Sequence, residues 1–263
     1  TAALVVGNPS PSNIGQNVTF TVTVSAANPS TGIPVGTVVI KDGTTTFDSH
    51  ALVGGQWQFQ ISTLAFGDHT INVDYQGDSN FNVSTGSVAH TVLGDTQTIV
   101  VSNLISSTYG QDVTFTATVS ALAPASGIPT GTINFKDNGV LIPLGNATLL
   151  PANNGTVAFT TNVLTAGTHI ITADYSGNST LKPSTGTVTP DLVVNKASTS
   201  TSLAALPVGT PAGTTVYGQT ITFTATIAIL PLGGGTLGGT VDFLDNGVLM
   251  PGGDDVPITG NEA

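Results

Sequence analysis

Residues 15–20 read GQNVTF, and the same sextet returns as GQDVTF over residues 110–115 and as GQTITF over residues 218–223. Each copy runs directly into an alternating stretch, VTFTVTVS, VTFTATVS or ITFTATIA. In the first copy Val18, Phe20, Val22 and Val24 fall on one side and Thr19, Thr21 and Thr23 on the other, the period of two of a half-buried strand. The same inward set is Val113, Phe115, Ala117 and Val119 in the second copy, and Ile221, Phe223, Ala225 and Ile227 in the third. A glycine opening each sextet marks a tight corner into a central strand, and a unit of about one hundred residues is thereby used three times.

The segments around the corner repeat in the same order. GTVVIKDG, GTINFKDNG and GTVDFLDNG follow it as a second strand, with Val38 and Ile40, Ile133 and Phe135, or Val241 and Phe243 inward. Their Asp-Gly and Asp-Asn-Gly endings are hairpin signals, so Asp42, Asp137 and Asp245 are turn residues first. Trp57, Phe59 and Ile61 match Val157, Phe159 and Thr161. After them HTINVDY matches HIITADY, and SVAHTVL or TVTPDLVV closes the unit. Many short strands separated by frequent turns define an all-β chain of tandem antiparallel β-sandwiches with Greek-key connections. The expected units are residues 1–94, 95–196 and 197–263, joined by linkers short enough to give an elongated rod.

Composition narrows the partners. The 263 residues carry four lysines, no arginine, fourteen Asp and one Glu, a net charge of -11. Such a balance excludes a nucleic-acid partner, because counterion release needs several cations on one face. The longest apolar stretch, around residues 225–232, is broken by Pro231, so no transmembrane segment is expected. The chain opens at Thr1 without a charged start and an apolar run, which reads as a mature or cropped form. Zero cysteine removes disulfides and thiolate metal sites. Scarce lysine together with abundant Thr, Ser, Gly and Asn suits an extracellular or cell-surface location.

The order of landmarks resembles the bacterial immunoglobulin-like repeat found in tandem on large surface and secreted proteins. The residues that carry the resemblance are GQNVTFTVTVS, GTVVIKDG, DYQGDSNF and STGSVAHTV in the first unit, and GQDVTFTATVS, GTINFKDNG, LTAGTHIITADYSGNST and PSTGTVTPDLVV in the second. It implies a β-sandwich module used as spacer, stalk or adhesive element, without catalysis and without an inter-sheet disulfide. The third unit departs from it, stopping before the Trp/Phe strand and everything after. Val216, Ile221, Phe223, Ile227, Val241 and Phe243 would each forfeit about 1.5–3 kcal/mol if left uncovered. Continuation of the chain, or strands from a neighbouring copy, would cover them.

Candidate chemistry is sparse. His69 and His169 share one position with Asp74 and Asp174 five residues on, an odd separation that turns the two side chains to opposite faces of a strand. A histidine bonded to its preceding turn is the better reading. Calcium is the metal candidate, with Asp42, Asp74, Asp78 and Asp95 as oxygen donors, against which stands the lack of a D-x-D-x-D-G loop and the replacement of Asp78 by Asn178. Lys41 and Lys136 alternate outward as solvated lysines, which disfavours an isopeptide crosslink. Trp57 reads as core rather than as a sugar platform, and Tyr109 and Tyr217, aligned with Ile14, as packing residues. The glycines at 233–235 and 238–239 lack the helix and lysine of a phosphate cradle. Asn82, Asn154 and Asn178 lie in loop sequons and are the glycosylation candidates. The expected work is that of a non-catalytic extracellular stalk, fibre or sheath, whose protein partners are other copies or further repeats. An adhesin holding a cell-surface ligand through loops at one end of the sandwich is the alternative.

Overall fold

The computed structural model describes residues 1–207 and 215–263. The alternating stretches are strands, and their faces are those that period-two reading assigns. In the first repeat β1 (Ala2–Asn8), β2 (Ser12–Asn13), β3 (Val18–Ser25) and β4 (Thr37–Asp42) are followed by β5 (Thr45–Ala51), β6 (Gln56–Ile61), β7 (Gly67–Tyr75) and β8 (Ser84–Leu93). They form a sheet of order β1-β3-β6 facing one of order β2-β8-β7-β4-β5. Val18, Phe20, Val22 and Val24 of β3 meet Val38, Ile40, Ile71, Val73 and Tyr75 of the opposite sheet in one buried core.

The second repeat repeats this plan. Its strands are β9 (Thr96–Ser102), β10 (Ser106–Thr108), β11 (Val113–Ala121), β12 (Gly131–Asp137), β13 (Val140–Leu149), β14 (Thr156–Thr161), β15 (Gly167–His169), β16 (Ile171–Tyr175), β17 (Ser184–Thr187) and β18 (Leu192–Asn195). A single 3-10 turn, Pro151–Asn153, precedes β14. The sheet β14-β11-β9 faces β13-β12-β16-β17 and the shorter β10-β18-β15, which together take the place of β2-β8-β7-β4-β5. Phe115, Phe135, Ile133, Ile171 and Tyr175 fill its core.

The sextet forms the same corner three times. Gly15, Gly110 and Gly218 sit at φ 74°, 86° and 84°, a region that costs a side-chain-bearing residue and not glycine. The glutamine after each glycine closes the turn from both sides. The Gln16 N–H donates to the Asn13 carbonyl at 3.0 Å while its Oε1 accepts the Asn13 N–H at 2.9 Å. Gln111 does the same with Thr108 and Gln219 with Val216.

The third repeat has β19 (Thr199–Pro207) paired with β20 (Ile221–Ile229), then the short strands β21 (Thr240–Val241), β22 (Leu244–Asp245), β23 (Val248–Leu249) and β24 (Val256–Pro257). Its core is Ala225, Ile227 and Phe243, with Leu237, Val241, Met250, Val256 and Ile258 against it. Residues 261–263 lie along the edge of β20: the Ile227 N–H donates to the Asn261 carbonyl, and Ala225 exchanges both backbone bonds with Ala263, at the places where Val119 and Ala117 meet Gly155 and Val157. Two sequence expectations change here. The apolar set is not uniformly bare, because Ile227 and Phe243 are buried while Ile221 and Phe223 stay 36 % and 37 % exposed. Tyr217, read as a packing residue, is fully exposed, whereas Tyr109 does pack on the second core. Among the described residues no helix is long and apolar enough to cross a membrane.

Candidate functional site

The polar side chains singled out by the sequence are distributed over separate structural posts. His69 stands at the start of β7 with Nδ1 2.7 Å from Asp42 Oδ2 and Nε2 2.8 Å from the Ala65 carbonyl. His169 repeats this with Asp137 at 2.8 Å and the Thr165 carbonyl at 2.7 Å. The bond back to the preceding turn is the one expected. The acid is the hairpin aspartate of the neighbouring strand and not Asp74 or Asp174, so Asp42 and Asp137 serve the staple as well as the turn. Each ring spends both nitrogens on contacts inside the fold, an aspartate on one side and a loop carbonyl on the other.

Asp74 and Asp174 instead hold the outward lysines. Lys41 Nζ is 2.6 Å from Asp74 and Lys136 Nζ 2.6 Å from Asp174, with all four side chains about one third exposed or less. The lysines do point away from the core, but as ion pairs rather than as solvated cations, because β4 and β12 run beside β7 and β16 and set the two residues near each other on the outer face. Such half-exposed pairs contribute roughly 0–1 kcal/mol.

Asp78 organises a turn. Its Oδ1 accepts the N–H groups of Asn80 and Phe81, and its Oδ2 accepts the Val35 N–H and the Tyr75 hydroxyl. The backbone donors from Val35 and Asn80 lead in holding its pKa down, to about 2. Asn178 takes over part of this in the second repeat, accepting from Thr180 and Leu181 while donating to Thr130 Oγ1. Asp95 pairs with Lys182 at 2.5 Å. The four calcium candidates are thus held at four separate places, each with its own partners.

Among the described residues, the group of acids that does converge is Asp242, Asp254 and Asp255, exposed and within 4.8 Å of one another. It is a turn that binds itself: the Asp255 N–H donates to Asp242 Oδ1, and Thr240 Oγ1 donates to Asp255 Oδ1. The adjacent acids Asp254 and Asp255 were its sequence signal, but Asp242 joins them only through the pairing of β21 with β24.

One buried polar pair escaped the sequence reading. Ser12 Oγ and His90 Nε2 are 2.9 Å apart, and both residues are 2 % exposed. His90 Nδ1 has no hydrogen-bond partner, and the ring stands edge-on to Phe20 at 5.5 Å. Burial, and then the nearby His69, push the His90 pKa down. Register places Leu192 at this position in the second repeat, opposite His169 as His90 is opposite His69.

Trp57 faces inward as expected, yet only half-buried, stacked on His50 at 5.5 Å with the rings 6° from parallel. Of the sequon asparagines, Asn82 and Asn154 are exposed, while the Asn178 amide nitrogen is engaged by Thr130. Of the glycines at 233–235, Gly234 and Gly235 lie against Gly110 and Tyr109 of the preceding repeat, with the Gly234 N–H donating to the Tyr109 carbonyl at 2.8 Å.

A cleft of about 390 Å³ lies between the sheets of the third repeat, lined mainly by Leu203, Phe223, Val241, Phe243, Leu244 and Met250. In the first two repeats the strands β7 and β16 pair with β4 and β12 and close the corresponding space. The cleft is therefore a module core seen from the side.

Two stretches of the chain, residues 5–93 and 100–195, match the model of the bacterial Ig-like domain (group 3). The chain belongs to that family and carries its domain twice in tandem. Solved structures of similar fold include the fibronectin(III)-like modules of Clostridium thermocellum CbhA, at 15 % identity over 73 % of this chain and 94 % of that one, TM-score 0.39. The Escherichia coli adhesin FdeC is similar at 18 % identity over 92 % of this chain and 78 % of that one, TM-score 0.35. The I67–I69 fragment of the titin I-band gives 8 % identity over 87 % and 94 %, TM-score 0.43. A comparison with curated protein sequences finds no match.

Proposed function

We propose that this chain is a non-catalytic extracellular spacer, a stretch of stalk, fibre or sheath in which Ig-like modules are held end to end. The observation that carries the reading is the absence of slack where the first repeat meets the second. The last residue of β8 is Leu93, and Gly94 is already bound by the second repeat: its N–H donates to the Thr180 carbonyl at 2.8 Å and its carbonyl accepts the Lys182 N–H at 2.9 Å. A joint with no free residue transmits force and direction from one sandwich to the next. Family membership and a surface poor in lysine support the extracellular placement. Small-angle scattering of the full chain tests it. The expected profile is that of one extended particle, and a profile of independently tumbling beads would sink the reading.

A second element of the proposal concerns the cleft. Its apolar lining and the edge of β21 and β22, where no described strand takes the place that β7 has beside β4, fit an alternating β-strand with the chemistry of Ile71, Val73 and Tyr75, supplied by another copy. Sedimentation velocity is expected to show concentration-dependent assembly that Phe223→Asp abolishes. Monomeric behaviour at all concentrations would remove this element and leave the spacer intact.

A further inference from the structure

The two joints of the chain use different residues that obey one steric rule. Thr98 pairs with Val119 and Thr201 with Ile227, which sets Gly94 and Ala197 at the same place in their repeats. The loop after the central strand is folded back identically at both. The Leu122 N–H donates to the Asp95 carbonyl at 2.9 Å and the Leu230 N–H to the Ser198 carbonyl at 2.8 Å; the Ala125 N–H then returns to Leu122 and the Gly233 N–H to Leu230. This brings Ala125 against Gly94 and Gly233 against Ala197. A Cβ added to Gly94 would stand 2.3 Å from the Ala125 Cβ, and one added to Gly233 would stand 2.7 Å from the Ala197 Cβ. Each joint therefore holds one alanine and one glycine, in opposite order, with room for a single methyl group.

The upstream repeat supplies the third member. Phe66 lies against Gly94, its ring carbons 2.8 and 2.9 Å from where a Cβ would be. The register of β7 and β15 places Ala166 at the same position of the second repeat, beside Ala197. A large ring accompanies the glycine linker, and a small side chain accompanies the alanine linker. The space that Phe66 fills at one joint is a groove of about 340 Å³ at the other.

We infer that Phe66, Gly94 and Ala125 form a steric lock that fixes the direction in which the second module leaves the first, and that Ala166, Ala197 and Gly233 are its reciprocal set. The inference rests on the spacer reading and adds what sets the angle. Close packing makes it specific, since interiors at native density have no spare volume for one more methyl group. The consequence is a joint whose orientation is written in three residues rather than in linker length.

The absence of cysteine in the chain makes a distance measurement direct. Spin labels at Thr44→Cys and Val140→Cys, exposed positions at equivalent hairpins of the first and second repeats of the full chain, report the angle by pulsed electron resonance. The parent is expected to give one narrow distance, Gly94→Ala a broadened or displaced one, and the triple variant Phe66→Ala, Gly94→Ala, Ala125→Gly a narrow one again. A Gly94→Ala distribution identical to the parent overturns the lock while leaving the spacer standing. So does a triple variant that stays as broad as Gly94→Ala, or as unfolded should that single variant fail to fold. A broad distribution in the parent overturns the spacer reading itself, and the lock with it.

Discussion

His90 occupies a position where its two neighbours make opposite demands. Ser12 offers a single hydroxyl to Nε2, while Nδ1 looks into apolar packing beside Phe20 and the ring faces His69 across the β7–β8 ladder. Charging the ring there means burying a cation next to a second imidazole, which is why its folded pKa lies below the ordinary value of 6.5. The sign of the pH effect follows. Between the depressed folded value and about 6.5 the unfolded chain binds the extra proton and the folded chain does not, so stability is full above that window and falls as pH drops through it. His90→Leu installs the residue that the second repeat already uses, Leu192, and leaves Ser12 in the state of Ser107, a buried hydroxyl without a partner. The expected result is a chain whose melting temperature falls less between pH 7 and pH 5 than that of the parent. Equal pH slopes in differential scanning calorimetry would remove His90 as the source. Sequence alone gave no hint of this pair, because residues 12 and 90 meet through a parallel two-residue ladder that no local pattern announces.

The strand and the turn are the scale at which the sequence was most readable. Alternation put Val18, Phe20, Val22 and Val24 inside, and all four are buried, as are Val113, Phe115, Ala117 and Val119. Period two reports which face a residue takes and says nothing of which strand lies beside it. That is why the Asp42–His69 and Lys41–Asp74 partnerships were not legible: both depend on β4 pairing with β7, whose register sets Asp42 opposite Ile71 and Val39 opposite Asp74. The corner shows the same division. Its glycine is legible from conformational preference, whereas the glutamine after it carries no signal in the alternation and is the clamp of the turn. Gln111 Oε1 accepts the Thr108 N–H at 3.0 Å, and that donor has no replacement within the turn once the amide is removed. Gln111→Ala is expected to cost about 1 kcal/mol, the worth of one such bond, read as a lower midpoint in urea with an unchanged slope. Gln111→Glu keeps the acceptor and is expected to recover most of the loss. An alanine variant as stable as the parent would show that water takes over the bond.

Across the whole molecule the same central strand is placed in three different surroundings. Phe20 and Phe115 are fully buried, while Phe223, at the equivalent place in β20, is 37 % exposed beside the cleft. Backbone pairing does not account for the contrast, since β20 keeps a nine-residue ladder with β19. What differs is the covering layer: Phe20 and Phe115 face sheets that contain β7 and β16, whereas no described strand stands at that place beside β21 and β22, and on the edge of β20 the bonds to Asn261 and Ala263 stop at Ala225. Local opening is governed by how much apolar contact must be broken along with each hydrogen bond. Hydrogen exchange on the full chain should therefore divide the repeats, with amides of residues 221–224 exchanging orders of magnitude faster than those of residues 18–21 and 113–116. A strand docked in the cleft would slow residues 221–224 and leave the other two segments unchanged, which separates assembly from a general gain in stability. Equal protection in all three central strands would mean that the β19–β20 ladder alone stabilises the third repeat, and the cleft would then need no occupant.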